Sequence, residues 1–424
     1  MLNYQLTKLD NGLKIITAPL ASTKAVTILF LFGVGSRYED VRLSGISHFL
    51  EHMFFKGTNK RPTTLDISRE LDSVGAGYNA YTGEEYTGYF VRITSDHFDL
   101  GLDILTDMLF NSKFDAQEIE REKGVIVEEI NMYNDEPRAK VEIIARELFY
   151  GDQPLGRKIT GEKETVTSFT REDFINYRKA YYNPSNMIVA VSGGGRENEW
   201  LEKLKTKLKE HADLEAKKFE PVEESQTEPQ LAISHRETDQ AHFILAFRSM
   251  KRTDKRRPIL RILSNLMGQM MSSRLFIEVR ERRGLCYYIN SEIVDFNDTG
   301  AWAVSAGVDI KRIEEAIEVI LKEIKKLKSE KITEEELSRA KENLKGHLYL
   351  SLEESMQVAD FLAEQALLWG EIKDPDQVAA ELDRVTIEDI QKLAESIFVA
   401  ENLNLAIVGP FKEKEKFEKL LKTF

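Results

Sequence analysis

Two of the seven histidines in this 424-residue chain stand four residues apart, in the stretch Ser47-His48-Phe49-Leu50-Glu51-His52-Met53-Phe54-Phe55. On a helix that spacing puts both imidazoles on one face, one turn apart. Two ring nitrogens so placed can share one small cation. Glu51 lies three residues after His48 and borders the same face, where it could act on a water bound to that cation. Phe49, Leu50, Met53, Phe54 and Phe55 surround the polar trio with apolar surface, as a half-buried helix requires. The order His-x-x-Glu-His mirrors His-Glu-x-x-His, in which the glutamate follows the first histidine. Two histidines do not close a zinc site, so a third protein ligand must come from elsewhere in the chain.

The elements around that stretch can be read from their punctuation. Thr7 to Pro19 reads as a hairpin turning at Asp10-Asn11-Gly12, and Val26 to Val34 as a more apolar strand. Gly45 precedes the motif helix and Gly57 follows it. Tyr78 to Thr82 and Glu85 to Thr94 read as paired strands. Asp115 opens a long helix running to Ile130 that carries Glu122 and Glu129 seven residues apart, two turns along one face. These two are the best candidates for the missing ligand. Glu128 competes with Glu129, and spacing alone does not separate them.

Composition narrows the function classes. Charged residues make up 31% and apolar ones 42%, the proportions of a globular chain of two or more domains. A formal net charge of −13 argues against nucleic-acid binding, which needs a basic face. The longest apolar run is too short to span a bilayer, so no membrane role is expected. A single cysteine, Cys286, rules out an intrachain disulfide and fits a reducing compartment. With no secretory signal in the first residues, a cytoplasmic, prokaryotic protein is expected.

The second half repeats the first. Thr170-Arg171-Glu172-Asp173-Phe174 matches Thr386-Ile387-Glu388-Asp389-Ile390, and Met187 to Gly193 matches Leu403 to Gly409, both at an offset of 216 residues. Phe114 to Ile119 faces Ile332 to Leu337 at an offset of 218. A shared offset across separate segments marks two copies of one α/β unit. The polar, charged stretch 212–230 reads as the linker. The predicted domains are therefore 1–211, carrying the motif, and 231–424. The second copy has no His-x-x-Glu-His, and Ala340 and His347 stand where Glu122 and Glu129 stand in the first.

His48, Glu51 and His52, followed by Arg121-Glu122 and Glu129, resemble the pitrilysin/insulinase metallopeptidases, the inverzincins. The resemblance spans nearly the whole chain and includes Gly57-Thr58 and Asn79-Ala80-Tyr81-Thr82. It implies an α+β fold of two homologous domains, each a mostly antiparallel sheet packed with helices, together forming half of a clamshell chamber. It implies one Zn2+ per chain held by His48, His52 and Glu129, with Glu122 a supporting carboxylate outside the ligand set and Glu51 as general acid and base. In the second half it implies that Arg280 and Tyr287, in Arg280-Glu281-Arg282-Arg283-Gly284-Leu285-Cys286-Tyr287, hold the substrate main chain and stabilise the tetrahedral intermediate. Gly284 places Arg280 on a helix and Tyr287 at a strand start. Asn79, Ala80 and Tyr81 match the family's edge strand, to which an extended peptide adds as one more strand.

The implied activity is a zinc-dependent endopeptidase for short or unfolded peptides, enclosed between two chains. A dedicated precursor-processing peptidase and a non-catalytic scaffold of the respiratory core-protein type are the alternatives. Since this chain carries both the motif and the Arg/Tyr pair, a homodimer is implied, with a heterodimer with a related chain as the variant.

Overall fold

The computed structural model describes residues 2–209 and 218–424. Residues 212–217 of the expected linker lie outside the described residues, and 218–229 run without helix or strand. The described residues form two sheets with helices packed on them. The first holds β1 (Gln5–Lys8), β2 (Lys14–Pro19), β3 (Ala25–Phe32), β4 (Gly77–Thr82), β5 (Thr87–Thr94) and β6 (Met187–Gly193), in the spatial order β1-β2-β6-β3-β5-β4. The second holds β7 (Gln230–His235), β8 (Gln240–Arg248), β9 (Cys286–Asp295), β10 (Gly300–Asp309) and β11 (Leu403–Gly409), in the order β7-β11-β8-β10-β9.

The repeat read from the sequence is a repeat of topology. β6 pairs in parallel with β2 and antiparallel with β3, and β11 does the same with β7 and β8. All other pairings are antiparallel, so each sheet is mixed but mostly antiparallel. Thr170 and Thr386 each begin a helix with a capping box, closed by Asp173 and Asp389. Five helices carry the argument below: α1 (Ile46–Phe54), α2 (Ala116–Asp135), α3 (Pro137–Tyr150), α4 (Glu334–Ser351) and α5 (Ser355–Glu364). α2 and α4 are the repeated long helices. Pro137 stands in the first turn of α3, where its missing N–H costs nothing.

The compact units differ from the tandem halves in one respect. One unit comprises Met1–Ile130, Arg157–Glu220 and Tyr349–Pro375, the other Asn131–Gly156, Pro221–Leu348 and Asp376–Phe424. Each half thus lends a helix to the other's sheet. The reason lies in the strands, which are apolar on both faces. On β3, Val26, Ile28, Phe30 and Phe32 join the core that includes Phe49, Leu50 and Met53 of α1. Leu29 and Leu31 point the other way, where Val358, Ala359, Leu362 and Ala363 of α5 cover them. In the second unit, Val141 and Ile144 of α3 cover Ile244, Ala246, Ala303 and Ala406. Leaving such a face in water would forfeit roughly 1.5–3 kcal/mol per large aliphatic side chain.

Candidate metal centre

The motif helix is held at its N-terminus by a residue outside it. Gly45, at the cap position, has φ +97°, and a Cβ there would lie 2.7 Å from the Thr160 carbonyl oxygen. Glycine has no cap side chain to give, and the buried Glu39 carboxylate takes that place. Its Oε2 accepts from Gly45 N–H and its Oε1 from Ser47 N–H, both at 2.7 Å. Burial pushes the Glu39 carboxyl up to about 8, against the pull of those hydrogen bonds and of Arg157. Along α1, Phe49, Leu50, Met53 and Phe54 are buried, which fixes the rotation of the helix and aims the polar trio away from the core.

His48, His52 and Glu129 converge. Glu129 Oε1 is 3.5 Å from His48 Nε2, and Glu129 Oε2 is 3.6 Å from His52 Nε2. Among the described residues this is the one group of three or more His, Cys, Asp or Glu side chains whose donor atoms gather closely enough to hold an ion. The spacing suits zinc: tetrahedral bonds of about 2.0–2.1 Å set neighbouring ligand atoms roughly 3.3 Å apart. Glu128, the sequence competitor, is exposed. Glu122 lies on the far side of the His52 ring, its Oε1 2.9 Å from His52 Nδ1. With Nδ1–H donating to that carboxylate, Nε2 is left free to ligate. His48 Nδ1 is buried without a hydrogen-bond partner.

The electrostatics favour a cation. Burial alone would push the His52 pKa down, but the Glu122 hydrogen bond and the charges of Glu122, Glu129 and Glu51 outweigh it and raise it. Burial would raise Glu122, yet hydrogen bonds from His52 and Lys56 and the Lys56 charge hold it below the usual range. Lys56 Nζ lies 2.6 Å from Glu122 Oε2. Spacing along one helix face singles out neither Lys56 nor Glu39, because Lys56 pairs with a distant helix and Glu39 reaches α1 from the segment before it. Glu51 accepts a short hydrogen bond from the Thr82 hydroxyl. Thr82 ends β4, the outer strand of the first sheet, as the resemblance implied for this stretch. Alternation put Thr82 on the same face as the buried Ala80, which was the available signal for its role.

The other expected residues are placed as follows. Asn79, exposed, folds its Oδ1 onto the N–H of Ala80 at 2.9 Å. Tyr81 sends its hydroxyl to Asp360. Arg280 sits in a helical turn, Phe276–Glu281, and Tyr287 is the second residue of β9. The Arg280 guanidinium lies 4.8 Å from the Phe276 ring centre and 5.9 Å from that of Tyr287, which is 75% exposed. These two neighbour each other in the second unit, and the histidines belong to the first.

Two units share one α+β topology, and among the described residues one His-His-Glu group with the spacing of a metal centre lies on the first. Residues 14–163 match Insulinase (Peptidase family M16), and residues 168–344 match Peptidase M16 inactive domain. The chain belongs to peptidase family M16. It is 35% identical over 402 residues to YmxG of Bacillus subtilis, named an uncharacterized zinc protease, covering 95% of this chain and 97% of that one. An uncharacterized zinc protease of Rickettsia felis is 33% identical over 412 residues, covering 96% and 98%. In fold it matches a protease from Helicobacter pylori with TM-score 0.90 at 22% identity, covering 96% of this chain and 100% of that one. A chain of complex III2 from Candida albicans has the fold as well, with TM-score 0.84 at 18% identity, covering 98% and 99%. No helix among the described residues is long and apolar enough to cross a membrane.

Proposed function

We propose that this protein is a zinc-dependent endopeptidase acting on short or unfolded peptides. The observation that carries the reading is the convergence of His48, His52 and Glu129 with Glu51 held beside them by Thr82. His48, His52 and Glu129 would hold the ion, and Glu122, at His52 Nδ1, would keep that ring oriented for it. When bound, zinc supplies Lewis acidity and lowers the pKa of a coordinated water. Glu51 takes a proton from the attacking water and returns one to the leaving amine. A peptide pairs with the free edge of β4 through its main chain, a mode indifferent to most side chains. The test is digestion of a mixed peptide library with and without chelator, with the cuts mapped by mass spectrometry. Many chelator-sensitive cuts are expected. A single cut site would favour a dedicated processing peptidase, and none at all would favour a non-catalytic scaffold.

The family resemblance further supports a homodimer in which Arg280 and Tyr287 of one chain serve the zinc centre of the other. Mixing Arg280→Ala with Glu51→Gln chains, each inactive alone, then regenerates one intact site per mixed dimer. Roughly a quarter of wild-type activity is expected from random pairing, by the closed two-fold symmetry of such dimers. No recovery after subunit exchange is established would refute the shared site.

A further inference from the structure

In each unit a tyrosine of an outer strand lies across a glycine of the next strand and reaches the helix lent by the other half. Tyr81 on β4 faces Gly88 on β5, and Tyr288 on β9 faces Gly307 on β10. A Cβ on Gly88 would sit 2.3 Å from Tyr81 Cζ, and one on Gly307 would sit 2.4 Å from Tyr288 Cε1. Both glycines therefore leave room for a ring laid on the sheet. The Tyr81 hydroxyl donates to Asp360 Oδ1 of α5 at 2.8 Å. Tyr288 has the Arg138 guanidinium of α3 4.7 Å from its ring centre and a hydroxyl 3.0 Å from His242 Nδ1. The device occurs twice in a duplicated fold, with different polar partners. In both copies it adjoins a residue of the proposed chemistry: Thr82, which holds Glu51, follows Tyr81, and Tyr287 precedes Tyr288.

Successive strand residues point to opposite faces. A ring clamped on the α5 face of β4 therefore fixes where Thr82 points on the α1 face. A second tie, from the Tyr86 hydroxyl to Glu364 Oε1 at 3.0 Å, holds the loop that joins β4 to β5. We propose that Tyr81, through its bond to Asp360, is a positioning residue that sets β4 so that Thr82 orients Glu51 and the strand edge stays in place to receive peptide. This rests on the endopeptidase reading.

The test compares Tyr81→Phe, Asp360→Asn and Thr82→Val with wild type. Steady-state cleavage and zinc content are measured on the zinc-loaded enzyme, and amide hydrogen exchange of β4 on the metal-free protein. Tyr81→Phe should lower kcat about tenfold at unchanged zinc content and speed exchange at Asn79–Thr82 about tenfold. Asp360→Asn keeps a carbonyl that accepts from Tyr81 and should stay within about twofold of wild type in both. The pair Tyr81→Phe with Thr82→Val should fall no further than Thr82→Val alone, since residues acting in one chain of contacts are not additive. Unchanged kcat in Tyr81→Phe, or fully additive losses, overturns the proposal. So does unchanged β4 exchange, which decides the matter even if Tyr81→Phe folds poorly enough to blur the kinetics. If the wild-type enzyme cleaves nothing, the endopeptidase reading fails on its own, and exchange still decides whether Tyr81 anchors the strand.

Discussion

Glu51→Gln should abolish peptide cleavage while leaving zinc bound. The substitution keeps the side-chain volume and a carbonyl oxygen that accepts from the Thr82 hydroxyl, so the local geometry of α1 and β4 survives. None of the three candidate ligand side chains is altered. What is lost is a group that can take a proton and give one back. General acid–base catalysis contributes about 10²–10⁴-fold, so kcat should fall by that factor with little change in KM. Cleavage of a fluorogenic peptide, with zinc measured by atomic absorption on the same sample, checks it. An active Glu51→Gln enzyme sinks the mechanism. An inactive one that has also lost its zinc leaves Glu51 with a role in metal binding rather than in proton transfer.

Glu129→Gln should strip the protein of zinc, whereas Glu128→Gln should not. The two residues are neighbours on α2, but a helix turns about 100° per residue, and only Glu129 faces the histidines. Glu128 is exposed to solvent. A neutral amide replaces the one anionic ligand of the set, and His48 and His52 alone leave the site half closed. The expected loss of zinc affinity is at least about a hundredfold, or roughly 3 kcal/mol. Loss of an outer hydrogen-bond partner such as Glu122 typically costs about 10–100-fold, so Glu122→Gln should fall between the two. Competition with a chromophoric chelator measures all three. The reverse ranking of Glu128 and Glu129 would reassign the ligand.

The chain's own pattern carries much of this. The spacing of His48, Glu51 and His52 places them on one helical face, and α1 is that helix, with its apolar residues buried. The offset of 216 residues between Met187 and Leu403 reappears as two strands with the same parallel and antiparallel neighbours. Helix caps at Thr170 and Thr386 stand where the repeated segments begin. These are local signals, set by helical and strand periods within a few residues, and they need no knowledge of distant partners.

What the sequence by itself determined, then, is the family, the helix that carries the His-x-x-Glu-His motif and the duplication of the fold. Tertiary structure decided which glutamate of α2 meets the histidines, because that depends on the rotation of one helix against another. Packing also decided that α3 and α5 cross to the other sheet. Nothing in their own residues names the sheet they cover; the doubly apolar faces of β3 and β8 demand a cover, and chain geometry selects it. Glu39, Lys56, Thr82 and Asp360 belong to the same class. Each acts through hydrogen bonds or an ion pair to an element distant in the chain or across a turn, and periodicity along a single element is blind to such contacts. The His-x-x-Glu-His helix can be read from nine residues, but its orientation depends on contacts that exist only once the chain has folded.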